Sequence, residues 1–113
     1  MRATSVGRDD AEAAYFALLR ARDEVTALAR YADFLAAERE RIARWSAEAE
    51  ALVAPVDARL RRAVAQTDKA VTQALKNRLA VIADESRRLP DRTAAAEAFV
   101  AECEAEVERL RGR

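Results

Sequence analysis

The sequence predicts an all-α fold: an antiparallel helical hairpin (about residues 10–53 and 56–89) and a shorter third helix (about 91–111), packed as a three-helix bundle of coiled-coil character. Three observations carry this. No glycine occurs between Gly7 and Gly112. Only two prolines, Pro55 and Pro90, interrupt the chain, and these two residue types are the strongest local punctuators of a backbone. The apolar residues between the breaks recur at spacings of three, four and seven, the period of a helix buried along one stripe.

The 113 residues allow one domain, expected over 9–111, behind a small, polar, unpatterned segment 1–8 that reads as a flexible tail. Asp9 and Glu12 have the spacing of a capping box and predict the first helix start. Leu28, Leu35, Ile42, Ala49 and Val56 then recur every seven residues. Tyr31, Trp45 and Leu52 form a second row three positions on, interrupted by Glu38. This is the a/d pattern of a helix seam.

Pro55 allows two readings. The chain turns back in a tight hairpin with Pro55 in the first turn of the second helix, where its missing N–H does no harm, or one helix continues through a kink. The hairpin supplies an intramolecular core and avoids the roughly 3 kcal/mol of an interior proline, so it is the expected form. A tight turn there places residues whose numbers sum to about 109 opposite each other, for example Arg41 and Asp68. The second helix carries Val56, Leu60, Val64, Val71, Leu75, Leu79, Ile82 and Leu89. Pro90 ends it, and Asp91 is the expected N-cap of a third helix with Phe99, Val100, Cys103, Val107 and Leu110 on its stripe.

Composition limits the core. Alanine supplies 29 of the 58 apolar residues, which favours helix but buries little area. The three helices also have unequal lengths, so the end near Pro55 keeps only two of them. That end carries Ile42, Trp45, Leu52, Val53, Val56, Leu60 and Val64, more large side chains than two helices cover. These seven are the expected protein interface, since a large exposed apolar patch marks an interaction site. Thr67 falls on the apolar stripe, where a polar group sets register or oligomeric state.

Several chemistries have no residues to perform them. The chain has no histidine, the commonest general base and metal ligand. Its single cysteine cannot build a zinc site, and no glycine-rich loop exists to cradle phosphate. Glu102, Glu104, Glu106 and Glu108 are spaced by two and spread around a helix rather than converging. Cys103 lies on the apolar stripe and reads as a buried inert thiol. No catalytic residue, cofactor, metal or small-molecule substrate is therefore expected.

The charges balance at 20 positive and 20 negative, which argues against bulk attraction to nucleic acid or to a membrane surface. Their distribution is uneven: residues 1–55 carry net −2, 56–89 net +4 and 90–113 net −2. The basic residues of 59–78 lack interleaved aromatics, which disfavours nucleic-acid binding. One cysteine and no long apolar run suit a cytoplasmic protein. Arginine over lysine at 18 to 2, with abundant alanine, suits a GC-rich bacterial genome. The expected function is a non-enzymatic protein–protein interaction module, a scaffold, adaptor or accessory subunit acting with a protein partner or as a homo-oligomer. A regulator of the antitoxin or immunity type is the alternative, followed by a nucleic-acid-associated helical protein.

Overall fold

The structure, a computed structural model, describes the backbone of residues 2–112 and the side chains of residues 7–112. It is all-helical among those residues, but it has two helices rather than three: α1, Arg2–Val53, and α2, Ala58–Arg111. The expected three-helix bundle does not form, because α2 runs through Pro90.

The physical reason lies around that proline. Pro90 cannot donate to the carbonyl of Ser86 four residues back, a defect of about 3 kcal/mol in a helix interior. Ser86 and Pro90 are both exposed, so water can take the carbonyl that the proline leaves without a donor. Ile82, Leu89 and Cys103, before and after the defect, are all buried, and this packing holds the helical backbone on both sides. Asp91 is consequently not an N-cap. The start of the first helix differs too. Helical backbone begins at Arg2 and covers residues 2–8, read from sequence as a tail, so Asp9 and Glu12 lie inside α1.

The break at Pro55 is a hairpin turn over residues 54–57. The N–H of Ala54 donates to the Glu50 carbonyl at 2.9 Å and that of Val56 to the Val53 carbonyl at 3.0 Å, closing α1. Asp57 opens α2: its Oδ1 accepts the Leu60 N–H at 2.9 Å, while its own carbonyl accepts the Arg61 N–H at 3.0 Å. This is an N-cap whose side chain satisfies one of the helix's free donors. Pro55 therefore sits in the turn, ahead of the helix.

The chain divides into two compact units. The first comprises residues 1–31 and 88–113. Its core clusters Leu18 and Ala21 of α1 with Cys103 and Val107 of α2, with Ala14 and Val100 packed against them. Leu28 and Leu89 are also buried there. The second unit, residues 32–87, contains the turn and buries Leu35, Ile42 and Ile82. The boundary on α2 falls at 87/88, two residues before Pro90. No described helix is long and apolar enough to cross a membrane.

Candidate functional site

The second unit changes character along its length. Near residues 35–42 the α1 row facing α2 carries Leu35 and Ile42, both buried. Towards the turn that row passes through Ser46, Ala49 and Val53, which are only half-buried. The side-chain volume on the facing row drops, and α2 offers polar Asp68 and Thr72 opposite it. The helices leave between them a cleft of about 590 Å³, lined among others by Ser46, Ala49 and Val53 of α1 and by Asp68, Val71, Thr72 and Leu75 of α2. Every residue from 57 to 74 is exposed.

The pairing of the helices follows a register different from that of a tight turn. Arg78 lies 3.7 Å from Glu38, and the Arg61 guanidinium donates to the Ala54 carbonyl. The residue numbers of these two contacts sum to 116 and 115, not 109. Arg41 pairs with Glu38 on its own helix rather than with Asp68. The four-residue turn and its cap carry α2 several residues past the end of α1 before the two helices meet.

Helix phase then places the large apolar side chains. Glu38 and Arg78 mark one flank of the unit, because they meet across it. Seven residues are nearly two turns and eighteen are five. Trp45 and Leu52 follow Glu38 by seven and fourteen, so they lie on that flank of α1. Leu60 precedes Arg78 by eighteen, so it lies on the same flank of α2, whereas Val64 and Val71 precede the buried Ile82 and Leu89 by eighteen and stand on the row that faces α1, where Val71 lines the cleft. All five are exposed, Trp45 by 55% and Leu52 by 75%. Thr67, eleven residues before Arg78, is exposed in their midst.

Of the seven residues expected at an interface, four (Trp45, Leu52, Leu60 and Val64) are exposed, three of them (Trp45, Leu52 and Leu60) on one flank. Val53 and Val56 are half-buried at the cleft and the turn. Ile42 is only 3% exposed and belongs to the core of the unit, so it is not on this surface. Val71 keeps its place on the seam but is exposed, because the helices leave the cleft open there. Trp45 and Leu52 leave the seam because a straight helix drifts by about 20° per heptad relative to a 3.5-residue repeat. Ser46 follows Leu28 by eighteen residues, five full turns, so in a straight helix Ser46 and not Trp45 continues the Leu28 column.

A second apolar patch, on the first unit, was not anticipated. Tyr15 and Phe16 meet edge to face with ring centroids 6.2 Å apart. Phe16 is 61% and Phe99 52% exposed, and both border a shallow groove with Ala13, Ala17 and Leu19. The signal in the sequence was an aromatic pair standing one column off the buried row at Ala14, Leu18 and Ala21.

Among the described residues no group of three or more acidic or cysteine side chains is placed to hold a metal ion, and Cys103 is buried as a free thiol. Arg109 is raised above its ordinary value by its hydrogen bond to Glu106 and by that carboxylate's charge. Arginine remains a cation at any working pH, so this pair does not transfer protons. Comparison with models of protein families, with curated proteins and with solved structures finds no match.

Proposed function

We propose that this chain is a non-enzymatic helical protein–protein interaction module and that the second unit binds through the flank carrying Trp45, Leu52 and Leu60, with Val64 and Val71 exposed beside it. The observation that supports this reading is the exposure of the only tryptophan together with four large aliphatic side chains in the second unit. Interface cores are enriched in aromatic residues and depleted in charge, and a tryptophan at the centre of such a patch is the usual binding anchor. The absence of histidine, and a cysteine enclosed in the core, favour binding over catalysis.

Capture experiments with the immobilised chain test the reading. The wild type should retain a protein, itself or another, that Trp45→Ala with Leu52→Ala releases while helicity is unchanged. Identical capture by both forms counts against it.

A further inference from the structure

We infer that the turn-bearing end of the second unit, residues 43–81, is a separately opening segment. It opens and recloses as one piece while Ile42, Ile82 and the first unit stay folded.

Burial is the observation that carries this. Every buried side chain among the described residues lies at 18–42 or 82–107. Between Ile42 and Ile82 none is buried: Ser46, Ala49, Val53, Val56, Leu75 and Leu79 are half-buried and the rest exposed. The cleft of about 590 Å³ stands where a core would be, so the side chains around it forgo the contacts that close packing supplies. Stability against local opening follows buried apolar contacts and is lowest where backbone hydrogen bonds are exposed.

What holds this end is local. Asp57 caps α2, and the Arg61 guanidinium donates to the Ala54 carbonyl across the turn. The α1 arm, residues 43–53, is shorter than the roughly 12–15 residues that an isolated helix needs in water. The α2 arm is exposed at every residue from 58 to 74. The α1 arm cannot persist without its partner, and the α2 arm loses Val53 and Ala49 when that partner leaves, so the two open together. A short turn makes this end quick to close, but no buried side chain then keeps it closed. In the first unit, by contrast, Leu18, Ala21, Cys103 and Val107 form a buried cluster.

Trp45, Leu52 and Leu60 all lie on the segment. A binder that needs them in place takes up only closed copies, and its apparent affinity falls by the fraction that is closed. That consequence rests on the flank being an interface; the opening itself does not.

Hydrogen exchange of the full chain, read by mass spectrometry or NMR under native conditions, tests the inference. Amides of 46–53 and 61–79 should exchange roughly 100-fold faster than those of 18–28 and 96–107, with one opening constant shared by both arms. Ala49→Leu, placed in the cleft from α1, should slow both arms roughly tenfold and leave the first unit unchanged. Thr72→Leu, placed there from α2, should do the same. Ala47→Leu, half a turn away from Ala49 on the exposed side of α1, should change neither arm. Protection of the segment equal to that of the first unit overturns the inference. So does protection that climbs residue by residue away from the turn, which is fraying, or a cleft substitution that slows only the arm carrying it.

Discussion

Arg78 reaches across the second unit to within 3.7 Å of Glu38, a carboxylate that Arg41 also holds from the next turn of its own helix. The Glu38 side chain is 13% exposed, whereas both arginines are about half exposed. Removing the shared acceptor leaves two cations facing each other, and removing one donor leaves the other pair intact. Glu38→Ala should lower stability by about 1 kcal/mol and Arg41→Ala by about 0.3 kcal/mol. Urea denaturation of the two variants decides this, and equal effects would contradict the shared acceptor.

The Asp57 cap gives a second prediction. Asp57→Ala should cost about 1 kcal/mol and Asp57→Asn almost nothing, because asparagine caps as well as aspartate. Thermal melts of the two variants at one protein concentration measure the difference. A cost shared by Asp57→Asn would mean that charge, not the hydrogen bond to the Leu60 N–H, matters there.

Pro90 lies inside α2, so Pro90→Ala should restore a hydrogen bond to Ser86 and stabilise the chain by roughly 1–3 kcal/mol. Asp91→Ala separates the two possible helix boundaries. As an interior helical residue Asp91 gains up to about 0.7 kcal/mol on replacement by alanine, whereas an N-cap loses about 1 kcal/mol. Denaturant midpoints should rise for both variants.

Ile42 and Trp45 are three residues apart and should behave oppositely in the isolated chain. Ile42→Ala opens a cavity in the core of the second unit and should cost about 2–5 kcal/mol. Trp45→Ala, at concentrations where the chain is a monomer, should change stability by no more than about 0.5 kcal/mol. Chemical denaturation followed by circular dichroism reads both.

Cys103 is 7% exposed and packs with Leu18, Ala21 and Val107. Its reaction with a thiol reagent should be slow under native conditions and should accelerate with denaturant as the first unit opens. Cys103→Ser should cost about 1–3 kcal/mol by burying a hydroxyl. Rapid native labelling would place the thiol outside the core.

The buried row of α1 was legible in the sequence as far as Ile42, because Leu28, Leu35 and Ile42 repeat every seven residues over a span too short for helical drift to matter. Beyond Ile42 the drift accumulates, and a heptad pattern can no longer separate Trp45, which turns outward, from Ser46, which turns in. Pro55 was legible as a turn because no helix need continue past it. Pro90 was not, since a proline states what it forbids locally and not what Ile82, Leu89 and Cys103 gain by keeping the helix whole. The Tyr15, Phe16 and Phe99 patch was hidden because a helix with two apolar columns looks, residue by residue, like a helix with one broad column.

The turn at residues 54–57 also sets an order of assembly. Glu38 and Arg78 are 40 residues apart in the chain, while Leu18 and Cys103 are 85 apart. Closing the longer loop from an open chain costs only about 0.6 kcal/mol more chain entropy for its doubled length, but search time follows contact separation more steeply than stability does. With the second unit already paired, residues 32–87 are taken up in structure, and less free chain separates the two segments that form the first unit. Folding that starts at the Asp57 cap and proceeds away from it thus lowers the chain entropy lost in forming the most distant contacts of the sequence.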